Sequence, residues 1–205
     1  YGEIRKYRSK ILRGRSFAVS LLSELAADML CREIGLPFTS VILNAAGNFT
    51  ILAPNISKTG DALREVEEEI NDWLFKVSYG ETVICFSELK ASCYDFVSGN
   101  FFNLWEKKGE LNDETKFSRI DLDRYGGANE DYLDAFDRRL DPPLCHICGK
   151  RPATWKATGK GYVKNARSSC DLCRDHVFLG TKLVKEGSVA VLRPRAEISG
   201  ERLFK

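Results

Sequence analysis

Four of the seven cysteines fall in two C-x2-C pairs, Cys145 with Cys148 and Cys170 with Cys173, separated by 21 residues. Two residues between cysteines let both thiolates of a knuckle reach one ion, and two knuckles supply the four ligands that zinc takes tetrahedrally. Such a shell leaves no position open for water, so the expected role is structural, not catalytic. It also supplies folding energy to a small loop-rich segment. His146 and His176 are rival ligands, and a redox C-x-x-C pair is the other chemistry this spacing permits. Cys31, Cys85 and Cys93 lie in apolar stretches and read as inert core thiols. An odd cysteine count with paired spacing fits metal binding in a reducing cytosol better than a disulfide framework.

Between the knuckles stand Lys150, Arg151, Lys156, Lys160, Lys164 and Arg167, with Trp155 and Tyr162 interleaved and no acidic residue from Gly149 to Ser169. Cations with flat rings suit single-stranded nucleic acid, where phosphates meet the charges and bases stack. The same loop also reads as a solvated one that keeps the knuckles soluble. The net charge of the 205 residues is only +2, so contact with nucleic acid must rest on this local patch.

The elements that must carry these residues follow from periodicity. Arg5, Lys6, Arg8, Lys10, Arg13 and Arg15 form a basic run that reads as a solvated arm. A helix is expected from Ser16 to Ile34, with Phe17, Leu21, Leu22, Leu25 and Met29 on its apolar face. Gly35-Leu36-Pro37 stops it. Val41 to Leu43 and Phe49 to Leu52 flank Asn44-Ala45-Ala46-Gly47-Asn48, the pattern of a β-hairpin. Asp61 to Leu74 is an amphipathic helix with Leu63, Val66, Ile70, Trp73 and Leu74 inward and an acidic run (Glu65 and Glu67 to Glu69) mostly in solvent. Thr82 to Ser87 reads as a buried strand. A last helix sets Tyr94, Val97, Phe101 and Trp105 on one core-facing side. Residues 106–143 are a polar connector ending at Asp141-Pro142-Pro143, and Ser188 to Leu192 reads as a strand after the knuckles.

The expected class is α+β: a palm domain over 1–105, the connector 106–143, and a zinc-ribbon-like segment with its strand and tail over 144–205. The order helix, strand, strand, helix, strand is a ferredoxin-like βαββαβ unit lacking its first strand. That strand is central, and its loss would leave backbone groups unpaired. The domain is therefore expected to begin upstream of Tyr1, or to borrow the strand from elsewhere.

Polymerase-like palms share this topology and hold two divalent ions on hairpin carboxylates. The hairpin here has none, and amides and alanines cannot hold magnesium as an Asp pair does. Tyr125 to Asp131 contains a Gly-Gly followed by acids, but it lies in the connector. No phosphate-binding G-x-x-x-x-G-K-[ST] loop and no nucleophile–histidine pairing is visible, so no catalytic residue is assigned. No apolar run approaches the roughly 20 residues of a membrane span, and no membrane partner is expected.

Three stretches together resemble a known family. They are Leu12-Arg13-Gly14-Arg15-Ser16-Phe17, then Asn48-Phe49-Thr50-Ile51-Leu52-Ala53-Pro54-Asn55, then the two knuckles after a polar connector. They look like the large subunit of type III CRISPR effector complexes, of the Csm more than the Cmr kind, which serve RNA-guided antiviral defence. The resemblance covers most of residues 10–192 and extends to the first palm and zinc segment only. It implies a degenerate palm that supplies part of an ATP surface at a palm–palm interface. The second palm of that family carries a GGDD hairpin and makes cyclic oligoadenylates, and an HD domain cuts single-stranded DNA. These 205 residues contain neither motif. The family's turn usually reads serine-glycine-glycine-glycine-histidine, and Asn44, Ala45, Ala46, Gly47 and Asn48 match it only at Gly47.

Arg13, Arg15 and Ser16, at the expected start of the first helix, are suited to meet phosphate. The implied cofactors are structural zinc, and ATP with magnesium or manganese only when a second palm is paired. The implied partners are the other effector subunits, guide and target RNA, and the remaining domains of the large subunit. The rival reading is a free-standing zinc-ribbon nucleic-acid-binding module.

Overall fold

The computed structural model describes residues 2–117, 121, 124, 144–154 and 169–186, with side chains from Tyr7 onward. The connector's Tyr125 to Asp131, the loop residues Trp155, Lys156, Lys160, Tyr162, Lys164 and Arg167, and the expected strand Ser188 to Leu192 lie outside that set. The chain divides into two compact units. One comprises Ser20–Asp134, and the other joins Tyr1–Val19 to Ala135–Lys205. This is a different partition from 1–105, 106–143 and 144–205, because the first helix contributes to both units.

That helix, α1, runs Gly2–Ile34. The basic segment expected as an arm is thus helical, and Tyr7, Ile11 and Gly14 show why. They recur at i, i+4 and i+7, and all three are buried. In the second half the buried positions are Ser23, Ala26, Ala27, Leu30, Cys31 and Ile34. Phe17, Leu21, Leu22, Leu25 and Met29, expected to form the apolar face, are only half-buried. The helix ends in a Schellman cap: Gly35 has φ +92°, its N–H bonds the Arg32 carbonyl at 3.1 Å, and the Leu36 N–H bonds the Cys31 carbonyl at 2.6 Å.

In the Ser20–Asp134 unit, strands β1 (Val41–Ala45) and β2 (Asn48–Ile51) pair antiparallel with Ala45 opposite Asn48. The turn is therefore only Ala46-Gly47, at φ +53° and +81°, which is type I′ geometry. The register shifts between Val41 and Leu43, leaving Ile42 as the extra residue. Helix α2 (Ser57–Ser78) buries Ala62, Val66, Ile70 and Leu74, one residue per i+4 step. These meet Ala26, Leu30 and Ile34 of α1, with Phe49, Ile51 and Phe86 packed around them. Each fully buried Leu, Ile or Val contributes roughly 1.5–3 kcal/mol. The class is α+β, with a two-stranded sheet among the described residues.

Two expectations in this unit change. Thr82 to Ser87 forms no strand; side chains of α2 satisfy its backbone instead. Asn71 accepts from the Ile84 N–H and donates to the Ile84 carbonyl, both at 2.8 Å, and Glu67 accepts from the Phe86 N–H at 2.9 Å. Glu67 is therefore half-buried, turned inward within an acidic run. Tyr94, Val97, Phe101 and Trp105 do not share one helix. A 3-10 turn over Cys93–Phe96 is followed by Gly99 at φ +96°, and α3 begins only at Phe101, running to Thr115. The interruption leaves Tyr94 74% exposed and Phe101 43% exposed, so these aromatics are not core. Cys93 is likewise exposed, whereas Cys31 is buried and its thiol is pushed up by desolvation.

Helix α4 (Asp171–Lys182) belongs to the other unit. No helix among the described residues is long and apolar enough to cross a membrane.

Candidate metal centre

The two knuckles are built differently. In the first, an isolated bridge pairs Leu144 with Pro152, closing a loop around Cys145 and Cys148. The Gly149 N–H bonds the Cys145 carbonyl at 2.7 Å, and Gly149 sits at φ +68°, a left-handed conformation that suits glycine. The Cys145 N–H in turn bonds the Arg151 carbonyl at 2.8 Å. The second knuckle is a helix start: Cys170 caps α4 and Cys173 lies in its first turn. A helix N-terminus carries partial positive charge, which favours thiolates there.

The four sulfurs all lie within 4.8 Å of one another. A tetrahedron with metal–sulfur arms of about 2.3 Å has edges of roughly 3.8 Å. The Cys148 and Cys170 sulfurs are already 3.9 Å apart. Cys145, Cys170 and Cys173 are buried, and all four cysteines are free thiols. The donor set and its size thus fit a metal such as zinc, with four ligands and no open position. Neither histidine belongs to the cluster.

Close packing sets the protons unequally. Hydrogen bonds from Cys170 and then Cys173 pull the Cys145 thiol down to about 3. Cys173 is driven upward, first by its hydrogen bond to Cys145, then by that to Cys170 and by burial. A metal replaces this shared-proton arrangement, since all four ligands bind as thiolates.

Arg151 belongs by sequence to the basic loop, but the structure places it elsewhere. It is 2% exposed, and its side chain turns toward the cysteines. Nε donates to Cys170 Sγ at 3.3 Å and Nη2 to Cys173 Sγ at 3.7 Å. Burial alone would lower its pKa, but the Cys170 hydrogen bond and the nearby thiolate charge outweigh that and hold it cationic. It has no surface to offer a phosphate. Lys150 is exposed.

The residues assigned to nucleotide are distributed between the units. Asn44, Ala45, Ala46, Gly47 and Asn48 form the hairpin tip in one. Arg13, Arg15 and Ser16 belong to the other, and they sit in the interior of α1 rather than at its start. Their backbone N–H groups are spent within the helix, so the argument from a helix N-terminus does not apply to them. Arg13 donates from Nη1 to the Gly180 carbonyl at 2.8 Å, in the last turn of α4, where a cation is favoured.

Gly14 has a packing role. A Cβ there would overlap the His176 carbonyl, 2.7 Å from its carbon, and a Cβ on Gly180 would meet the Lys10 carbonyl in the same way. Lys10 with Gly14 and His176 with Gly180 are both i, i+4 pairs, so each helix sets a bare glycine against a carbonyl of the other. Tyr7 and Ile11 close around Val177 beside this crossing. The helix that carries Cys170 and Cys173 is thereby fixed on α1. Sequence reasoning missed this role, although the signal lay in the small residues Gly14 and Gly180.

The chain thus joins a four-thiol cluster, beside the α1–α4 crossing, to an α+β unit with a type I′ hairpin. The chain belongs to the Csm1 subunit domain B family, whose model matches residues 5–137. The knuckles lie beyond that match, but alignments with whole relatives cover more of the chain. It is 28% identical over 189 residues to the CRISPR system single-strand-specific deoxyribonuclease Cas10/Csm1 (subtype III-A) of Methanocaldococcus jannaschii, covering 85% of this chain and 22% of that protein. The protein of the same description from Thermococcus onnurineus is 27% identical over 181 residues, covering 86% of this chain and 22% of that one. A Mycobacterium tuberculosis relative is 32% identical over 68 residues, 33% of this chain and 8% of its own length. The chain thus spans about a fifth of the first of these relatives. No solved structure matches it. The resemblance to the large subunit of type III CRISPR effectors, drawn from Leu12 to Phe17, Asn48 to Asn55 and the two knuckles, is borne out.

Proposed function

We propose that this chain is the first-palm and zinc-bearing part of the large subunit of a type III CRISPR effector, and that it serves assembly rather than chemistry. The family match over residues 5–137 carries this reading. In it, the four cysteines hold one zinc ion that locks the knuckles and α4 together. The Ala46-Gly47 turn, with its flanking Asn44, Ala45 and Asn48, forms one wall of an ATP site completed by a second palm. ATP with magnesium or manganese binds only in that pairing, because this hairpin offers no carboxylate to hold a metal. Single-strand-specific deoxyribonuclease action, the activity of the relatives, belongs in this reading to other parts of the parent protein. Lys156, Lys160, Lys164 and Arg167 with Trp155 contact guide or target RNA, and the work is done in the cytoplasm.

The test is purification of the tagged parent protein from its host under native conditions. Recovery of a guide RNA with repeated backbone subunits is expected. Recovery of unrelated RNA, or of none, without those subunits overturns the assignment and leaves a free-standing zinc-ribbon binder. Conversion of ATP to oligoadenylate by the pure 205-residue chain would overturn the non-catalytic role.

A further inference from the structure

We propose that Arg151 is the built-in counter-charge of the four-cysteine site, keeping a bound metal from being released when electrophiles attack the thiolates. The inference rests on the reading that the site takes zinc, and it concerns a residue outside the ligand set.

Four thiolates around a divalent ion leave two formal negative charges on the cluster. Three of the four cysteines are buried, and burying uncompensated charge is costly. Arg151 is the charged residue placed to offset it: its guanidinium is buried, always protonated, and directs two N–H groups at two different sulfurs. The fork bridges Cys170 and Cys173, both on the α4 knuckle, while the carbonyl of the same residue accepts from the Cys145 N–H on the other knuckle. One residue thus touches three ligands and ties the two knuckles together. A sulfur that accepts an N–H bond and sits beside a cation donates less readily to an incoming electrophile. Outer-shell partners of this kind typically change metal affinity by 10–100-fold.

The experiment uses the full chain as wild type, Arg151→Gln and Arg151→Lys. Each is loaded with zinc or cobalt(II) and its metal content measured. Zinc release is then timed with a chromogenic chelator after adding N-ethylmaleimide, which alkylates thiolates. One ion per chain is expected for all three, with release about tenfold faster in Arg151→Gln. Arg151→Lys keeps the charge without the fork and should fall between. Cobalt spectra should keep tetrahedral thiolate character in the variants, with the sulfur-to-cobalt bands displaced. Equal release rates in wild type and Arg151→Gln overturn the proposal while leaving the metal reading intact. If Arg151→Gln does not fold, Arg151→Met, which removes the charge but keeps a side chain of similar length, decides: release at the wild-type rate overturns it. A wild-type chain that takes up neither zinc nor cobalt overturns the metal reading, and this proposal with it.

Discussion

The two halves of α1 are held by opposite means. The C-terminal half presents side chains, with Ala26, Leu30 and Ile34 meeting the i+4 ladder Ala62, Val66, Ile70 and Leu74. The N-terminal half presents bare backbone at Gly14, and α4 answers with bare backbone at Gly180. In the first case affinity is spread over many dispersion contacts, each small. In the second it depends on a close approach that one methyl group prevents, next to a cluster that one missing thiol dismantles. The unit with the conventional core should therefore fail gradually under substitution, and the unit with the cysteines abruptly.

The sharpest break is Cys173→Ser. On the proposed zinc reading it removes one of the four buried or half-buried thiols that would hold the ion, and metal content measured by elemental analysis should fall from one ion per chain to none. Because binding free energy is folding free energy in such sites, protease cleavage between 144 and 186 should follow. Chelator treatment of the wild type should reproduce that pattern. Leu74→Ala is the matching attack on the side-chain core. It should cost about 2–5 kcal/mol in denaturant unfolding while leaving the metal content unchanged. Loss of metal in Leu74→Ala would remove the distinction between the units.

Gly14→Ala tests the backbone crossing directly. The added carbon has nowhere to go but into the His176 carbonyl, so a loss of about 1–3 kcal/mol is expected. Gly109→Ala is its control. That glycine lies inside α3 with nothing within 4 Å of a Cβ, and alanine there should stabilise by about 0.5–1 kcal/mol. Opposite signs for one chemical change, read as shifts in melting temperature, separate close approach from helix propensity.

Legibility in the sequence follows the same division. Cysteine is diagnostic by type and spacing, so the four-thiol cluster is readable from the sequence alone. Periodicity locates α2, the second half of α1 and the hairpin, because side-chain burial repeats at 3.6 or 2 residues. Glycine carries no such signature. Arg13-Gly14-Arg15-Ser16 reads as a phosphate-binding helix start because its charge is visible in sequence and the packing of Gly14 is not. Arg151 misleads for a related reason: a cation among other cations reads as surface until its sulfur partners, 19 and 22 residues away, are brought to it. Tyr94 to Trp105 fit one helical face in spacing, but Gly99 breaks the helix between them.

The smallest expected effect probes a contact that periodicity also conceals. Glu67 lies in an acidic run, yet it turns inward to accept the Phe86 N–H and is half-buried there. Burial raises its pKa above 4.5, the Phe86 N–H pulls it back in part, and the charge of Glu68 adds to the rise. A carboxyl raised in the folded state binds its proton more tightly there than in the unfolded chain. Its contribution to stability is therefore present below the unfolded value near 4.5 and is lost as pH rises through the higher folded value. Glu67→Gln keeps an oxygen to accept the Phe86 N–H and abolishes the titration. Denaturant unfolding as a function of pH should show the wild type losing stability relative to Glu67→Gln from about pH 4.5 upward, with the variant the more stable at pH 7. If instead the wild type gains on the variant over that window, the ionised carboxylate's bond to Phe86 outweighs its desolvation. The 82–87 segment would then be clasped by charge, in a unit otherwise held by side-chain packing.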